Sequence, residues 1–176
     1  MYFELKENRP HGTPEHPFSL YHIKNVPHAF QIPVHWHDEL EIIYVKSGSV
    51  HVTISGEHYI GNTGDAFVVS PGSLHFMGSH TGDVDYYTFL FPLEFVSFQM
   101  NDLSEQMLMA PLKSGRMLFQ IQIGKSIEDL CEHLLVLYAR EGDVRNPIRT
   151  TVPKDSAKRI SFVAKQMETK MILLEF

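Results

Sequence analysis

The chain has 176 residues, 43% of them hydrophobic and 20% charged, a composition that suits a single globular domain with its own core. Its formal charge is −6, from 15 basic and 21 acidic residues, so it lacks the positive field that nucleic-acid binding requires. The single cysteine excludes an intramolecular disulfide, and no apolar stretch is long enough for a signal sequence or a membrane helix. We therefore expect a cytoplasmic protein without membrane contact that does not bind DNA by itself.

Residues 1–17 form the first predicted segment, an irregular N-terminal arm rich in proline, in which we expect His11 and His16 to be solvated loop residues. Residues 18–123 then consist of short apolar segments separated by turn signals. The clearest strands, rich in Val, Ile, Tyr and Phe, are predicted over residues 39–46, 49–55, 65–69 and 84–91. Short strands at spacings of about 8–12 residues predict a mainly β sandwich or small barrel.

The pattern changes after these strands. A short helix is predicted over residues 102–110 and ends at Pro111, and a late strand is predicted over residues 117–123. The rest of the chain, residues 124–176, has the apolar spacing of a helical pair.

The first helix of this pair begins near Ser126, and its apolar stripe consists of Ile127, Leu130, Leu134, Leu137 and Tyr138. After a loop over residues 142–153, a last helix begins at Asp155 or Ser156, with a stripe of Ile160, Val163, Met167, Met171 and Leu174. The spacing of the last stripe suits coiled-coil-like packing, either on the barrel or on a second copy. Cys131 is expected to be a packed small side chain.

A metal-type donor set is found near the start of the strand region. His35, His37 and Glu41 lie at i, i+2 and i+6, and residues of one parity share a face of an extended strand. Two imidazoles and a carboxylate are a set that binds Zn, Ni, Fe or Mn, and His75 can supply a fourth donor. The same four residues could instead form a polar cluster that hydrogen-bonds a small molecule.

The residues around this set have simpler interpretations. Ile43 and Phe67 occupy inward positions of facing strands, where they either line a ligand pocket or belong to the core. Glu39 shares the face of the histidines, where it is either a fifth donor or, as we expect, an acceptor at the rim of the site. Trp36 is expected to be a packing residue. Three further histidines are expected to be solvated or satisfied locally, and these are His51, His58 and His80.

The spacing of the donor set resembles the first motif of the cupin superfamily: His-x-His, three residues, Glu, six residues, and a glycine at Gly48. The second cupin motif is matched more loosely, with Gly64 and His75 in register but Ser70 in the usual proline position. Within cupins, residues 35–45 and 64–75 resemble the sensor domains of AraC-type transcriptional regulators. The resemblance covers about residues 18–140.

This resemblance implies a cupin-like double-stranded β-helix, a jelly-roll barrel, followed by a C-terminal helical pair that forms a homodimer. It implies a non-enzymatic sensor that binds a small polar effector, such as a sugar, through the four donors. Members of this family usually sense ligands without a catalytic metal, whereas the residues by themselves favour a divalent metal. DNA binding would need a helix-turn-helix domain that these 176 residues do not contain, so we expect a longer parent protein.

Two alternatives belong to other functional classes. The complete donor set also suits a stand-alone, metal-dependent cupin enzyme, such as a dioxygenase or an isomerase. A cupin that only binds and carries a small molecule is the other alternative.

Overall fold

The computed structural model describes residues 3–14, 17–26, 28–97, 102–103, 105–124, 128–141 and 173–175. The strands are β1 (Ser19–Val26), β2 (Phe30–His35), β3 (Leu40–Ser47), β4 (Ser49–Ile54), β5 (Glu57–Asn62), β6 (Ala66–Val69), β7 (His75–Ser79), β8 (Val84–Phe91), β9 (Met117–Phe119), β10 (Gln122–Ile123) and β11 (Leu173–Glu175). The α-helices are α1 (Ala110–Lys113) and α2 (Glu128–Glu141), with 3-10 turns at Phe3–Leu5 and Leu93–Val96 and a π-helical turn at Glu105–Met109.

Two antiparallel sheets form the body of the molecule. The larger has five strands in the order β1-β8-β3-β6-β10, and the smaller has four in the order β2-β7-β4-β5. Strands from both sheets contribute to one buried cluster, which includes Ile43, Phe67 and Tyr86 from the larger sheet and Val52 and Met77 from the smaller. The sheets therefore enclose a common core, which confirms the predicted mainly β, cupin-like jelly-roll barrel.

Strand β3 shows how the sequence pattern creates two cores. Its odd-numbered residues Ile43 and Val45 face the barrel interior. Its even-numbered residues Leu40, Ile42 and Tyr44 face a second cluster on the outer side of the sheet. In an extended strand successive side chains point to opposite faces, so a strand covered on both faces is apolar at almost every position. Helix α2 covers the outer face with Leu130 and Leu134, and Cys131 packs there as expected.

The four strands predicted from apolar composition agree with β3, β4, β6 and β8 within one or two residues. Strands β1, β2, β5 and β7 were not identified, because their residues are more polar or, in β2, include Pro33. The predicted strand over residues 117–123 is two short strands, and β9 and β10 belong to different sheets.

Two predicted helix boundaries are wrong. Pro111 does not end a helix but lies in the first turn of α1, where its missing N–H breaks no hydrogen bond. Leu174 lies in β11, which pairs with β9 through Leu174 and Leu118, so the predicted last helix does not extend to this residue. The remainder of that helix, the loop before it, and Ser126 and Ile127 fall outside the described residues.

The N-terminal arm is docked on the barrel. Lys6 forms an isolated parallel bridge with Trp36. The Trp36 N–H donates to the Leu5 carbonyl at 3.0 Å, and the Glu7 N–H donates to the Trp36 carbonyl at 2.9 Å. Main-chain hydrogen bonds therefore attach the arm to Trp36, the residue that separates His35 from His37. None of the helices in the described ranges is long and apolar enough to cross a membrane.

Candidate functional site

The candidate site lies where the chain passes from one sheet to the other. His35 is the last residue of β2 in the four-stranded sheet, and Glu41 is the second residue of β3 in the five-stranded sheet. His37 lies on the crossing between them, and His75 begins β7 in register with His35. The prediction that the first three donors share one face of one extended strand is therefore wrong. They converge because the crossing brings the two sheets together.

The structure brings all four donors into one cluster. Their ligand atoms lie within 4.8 Å of one another. His37 Nε2 is 3.0 Å from Glu41 Oε2, and His75 Nε2 is 2.9 Å from the same oxygen. His37, Glu41 and His75 are buried, and His35 is half-buried at the open side.

Main-chain carbonyls fix the orientation of the three imidazoles. The Nδ1 atoms of His35, His37 and His75 lie 2.8, 3.1 and 2.9 Å from the carbonyl oxygens of residues 33, 39 and 73. A carbonyl only accepts hydrogen bonds, so each Nδ1 carries a proton and donates it. In the neutral ring, Nε2 then carries a lone pair and no proton. All three Nε2 atoms are directed at the cluster. This is the arrangement that orients histidine ligands toward a metal.

The surroundings of His75 Nε2 test whether a cation fits the cluster. Although this nitrogen lies 2.9 Å from Glu41 Oε2, the two atoms are not aligned for a hydrogen bond. It is buried and has no hydrogen-bond partner among the described residues. A lone pair facing a carboxylate oxygen is repulsive unless a proton or a cation lies between them. Three imidazole nitrogens and one carboxylate fit a divalent transition metal, so the cluster can hold one.

The charge state of the cluster supports the same chemistry. Burial alone would raise the pKa of Glu41, but its interactions with His37 and His75 outweigh burial and hold that pKa well below its usual range. Burial also disfavours the charged form of His37, yet the hydrogen bond and charge of Glu41 raise its pKa. The pKa of His35 is lowered by burial and then by the charge of His75. The carboxylate is therefore ionised in a buried place, where it attracts a cation.

The residues predicted to surround the donors differ in position. Glu39 Oε2 lies 3.6 Å from His37 Nδ1, the nitrogen on the opposite side of the ring from Glu41, so this carboxylate stays outside the donor cluster. Ile43 is the next interior residue of β3 after Glu41, and it pairs in register with Phe67. Both are fully buried core residues, so they form apolar structure behind the carboxylate. Their contact with a ligand stays a prediction.

His11 is not the solvated loop residue that the sequence predicts. It is buried, with a relative exposure of 9%, and was expected to be solvated. Its Nε2 donates to Glu7 Oε2 at 3.2 Å, its Nδ1 accepts from the Tyr21 hydroxyl at 3.1 Å, and its ring packs edge-on against His37 at 5.6 Å. The arm folds back on the barrel and carries His11 with it. His16 falls outside the described residues.

Glu7 was also not identified from the sequence. Its Oε2 lies 3.7 Å from His35 Nε2, so the arm carries a second carboxylate to the edge of the cluster. Trp36, to which the arm is attached, is buried as a packing residue. Lys6 Nζ lies 4.9 Å from its ring centroid. The sequence contains no local periodicity that signals this long-range pairing. His51, His58 and His80 are exposed and do not belong to the cluster.

Comparison with solved structures finds cupins and cupin enzymes. A cupin described as RmlC-like from Shewanella frigidimarina is 27% identical over 42% of this chain and 66% of its own, with a TM-score of 0.39. KdgF from Halomonas sp. is 24% identical over 46% of this chain and 73% of its own, with a TM-score of 0.41. The oxalate decarboxylase of Bacillus subtilis, described for its Mn(II) centres, is 26% identical over 43% of this chain, with a TM-score of 0.37. This chain spans only 21% of that enzyme's length.

No curated protein matches the sequence. A family model, described as the AraC-like ligand binding domain, matches residues 11–148. The match spans most of the chain and includes every residue of the four-donor cluster. The chain therefore belongs to the family of AraC-like ligand binding domains.

Proposed function

We propose that the chain is the effector-sensing domain of an AraC-type transcriptional regulator and has no catalytic role. The observation that carries this proposal is the family match over residues 11–148. In the proposal, a small polar molecule such as a sugar binds at His35, His37, Glu41 and His75. This cluster is a group of convergent polar atoms behind which the barrel interior is apolar, the usual composition of a small-molecule site.

The proposal includes a divalent metal in the cluster, with Zn, Ni, Fe and Mn as candidates. The unpartnered Nε2 of His75 supports this, because a cation satisfies it and the Glu41 carboxylate together. A metal bound there would act as a Lewis acid that attracts a hydroxyl or carboxylate of the effector. The metal would therefore serve recognition in the sensor.

The signal is proposed to leave the site through the arm and the C-terminal segment. An effector can shift an equilibrium only if it binds one arrangement more tightly than the other. The arm is a candidate for this element because its hydrogen bonds to Trp36 lie between two of the donors. Homodimerisation is proposed through residues 124–176. Since Leu130 and Leu134 already pack on the barrel, α2 would offer a partner its other face.

DNA binding is assigned, in this proposal, to a separate helix-turn-helix domain. The formal charge of −6 supports that division, because phosphate contacts require a positive surface. The domain described above would then sense the effector and set the geometry of two DNA-binding domains.

A metal-dependent cupin enzyme is the second candidate, and the complete donor set favours it. The same Lewis acid would then activate a substrate or oxygen. A sensor and an enzyme differ in what happens to the bound molecule, which gives a direct test.

The test is a thermal-shift screen of the purified protein, loaded with Mn²⁺ or Ni²⁺, against sugars, sugar acids and small carboxylic acids. A ligand at 100 times its Kd stabilises the folded state by about 2.7 kcal/mol, which is visible as a rise in Tm. We expect one chemical class to raise the Tm of the wild type but not of His75→Ala. Mass spectrometry and NMR should then recover that compound unchanged, and conversion to a product would contradict the sensor and support the enzyme.

A further inference from the structure

We propose that Glu7 of the N-terminal arm is a further carboxylate ligand of a metal held by His35, His37, Glu41 and His75. Metal binding would then tie the arm to the barrel. This inference rests on the proposed function, since it requires that the cluster binds a divalent metal.

The backbone of the arm places Glu7 beside the cluster. The bridge between Lys6 and Trp36 and the hydrogen bond from the Glu7 N–H to the Trp36 carbonyl fix the register of the arm. Trp36 lies between His35 and His37 in the sequence, so a residue paired with it is adjacent to two donors. Lys6 Nζ also bonds the Asp38 carboxylate at 2.6 Å on the exposed side, which holds the arm at the crossing.

The distance from Glu7 to the nearest donor suits a shared ion. Glu7 Oε2 lies 3.7 Å from His35 Nε2. Two donors that each lie about 2.0–2.2 Å from one ion are at most about 4.4 Å apart, when they bind on opposite sides. The observed separation from His35 is within that limit. Glu7 is not one of the four residues whose ligand atoms all lie within 4.8 Å of one another, so binding to the ion would require its carboxylate to move further toward the other donors. Glu7 is half-buried and lies on the same side of the cluster as the half-buried ring of His35.

His11 orients the Glu7 carboxylate. It donates from Nε2 to Glu7 Oε2 and accepts at Nδ1 from the Tyr21 hydroxyl, so Tyr21, His11 and Glu7 form a chain of hydrogen bonds that ends at the cluster. Outer partners of this kind fix the direction of a ligating carboxylate. His11 is buried although it is polar, which suits a role in positioning and does not suit a solvated loop residue.

The charges and the number of donors also agree. Two carboxylates, Glu7 and Glu41, balance the charge of one divalent cation, with the three imidazoles neutral. Five protein donors exceed the four that tetrahedral zinc takes, and they suit ions with higher coordination numbers, such as Ni²⁺ or Mn²⁺.

The first measurement is titration of the metal-free full chain with NiCl₂ by isothermal calorimetry. Glu7→Gln keeps the size of the side chain and removes its charge, and Glu4→Gln is the matched control, because Glu4 is exposed on the same arm. We expect Glu7→Gln to weaken Ni²⁺ binding at least about 10-fold, with Glu4→Gln within about twofold of the wild type. The visible absorption of bound Co²⁺ should also change in Glu7→Gln alone, since it reports the donors directly.

The second measurement is hydrogen exchange of the arm with and without Ni²⁺. Ni²⁺ should slow exchange at the Glu7 and Trp36 amides in the wild type and in Glu4→Gln, but not in Glu7→Gln. Equal affinity or equal protection in Glu7→Gln would overturn the inference and leave the four-donor metal site intact. A wild type that binds no Ni²⁺ would overturn both the metal site and the inference.

Discussion

The orientation of the three imidazoles depends on main-chain carbonyls, each of which lies two positions along the chain from its histidine. The carbonyl that holds His35 belongs to Pro33, whose ring fixes its φ, and the one that holds His75 belongs to Ser73, directly after Gly72 at φ 75°. A side-chain substitution at such a position keeps the carbonyl but can change the path of the backbone. The precision of the donor set therefore depends on local backbone geometry as much as on the donors themselves.

Tyr86 makes the stability of the folded domain depend on pH in the alkaline range. Burial, followed by the charge of Glu41, raises the pKa of Tyr86 to about 12. In the unfolded chain the Tyr86 hydroxyl ionises near pH 10. Its contribution to the free energy of unfolding is therefore fully present below pH 10 and is lost as the pH rises to about 12. Between pH 9 and pH 11 the wild type should lose about 1 kcal/mol of unfolding free energy from this group, measured by urea denaturation.

The matched variant is Tyr86→Phe, which keeps the ring that stacks on Phe30 at 5.9 Å and removes the titrating hydroxyl. The fall in stability between pH 9 and pH 11 should be smaller in this variant by about 1 kcal/mol. An identical fall in both proteins would mean that Tyr86 titrates normally in the folded state.

At the scale of the strands, packing between β5 and β6 leaves no room for an added methyl group at Gly61. A Cβ there would lie 2.4 Å from Phe67 Cε2 and 3.2 Å from Val50 Cγ2. The Phe67 ring is fully buried in the interior core, so it can move only if its core neighbours shift as well. Gly61→Ala should therefore destabilise the domain by about 1–3 kcal/mol, measured as unfolding free energy in urea.

Gly124→Ala is the control for that measurement, because no atom of the described residues, apart from its chain neighbours, lies within 4 Å of a Cβ built at Gly124. It should change the unfolding free energy by less than about 0.5 kcal/mol. Equal stability of the two variants would mean that the Phe67 ring moves away from the added methyl group at no cost, which would contradict tight packing around Gly61.

The sequence predicts those strands in which burial produces a recognisable run of apolar residues. β6 and the first six residues of β3 are buried and almost entirely apolar, so their position is evident from composition. β5 alternates exposed and covered residues over a short span and was not identified. Four donors were identified from motif spacing, whereas Glu7 and His11 were not, because their approach depends on a pairing across about thirty residues. Periodicity within one segment does not encode such a contact.

At the scale of the whole molecule, the arm lies outside the two buried clusters. Among the described residues, neither cluster contains one that precedes Phe18. The arm is therefore attached by hydrogen bonds, ion pairs and the cover over Trp36, and the barrel does not depend on it for its core. An element with this type of attachment can detach without unfolding the domain.

Deletion of residues 1–17 should therefore leave a folded barrel, with cooperative melting and unchanged far-UV circular dichroism. The exposure of Trp36 should lower the unfolding free energy by about 2 kcal/mol. Effector response or dimer geometry, measured by thermal shift with the effector and by analytical ultracentrifugation, should change because the deletion removes Glu7 and His11.

An unchanged effector response and an unchanged dimer would contradict a role for the arm in signalling. A chain that no longer melts cooperatively would show that the arm is part of the core, against the composition of the two clusters.

Trp36 is the only tryptophan in the chain, and it lies buried beneath Lys6 at the point where the arm is attached. Intrinsic fluorescence of this protein therefore comes from one indole, whose surroundings change when the arm leaves. Its emission maximum and its accessibility to a soluble quencher report arm docking in real time, without a dye or a label. The rate at which an effector or a metal closes the arm can thus be followed by stopped-flow mixing of the unmodified protein.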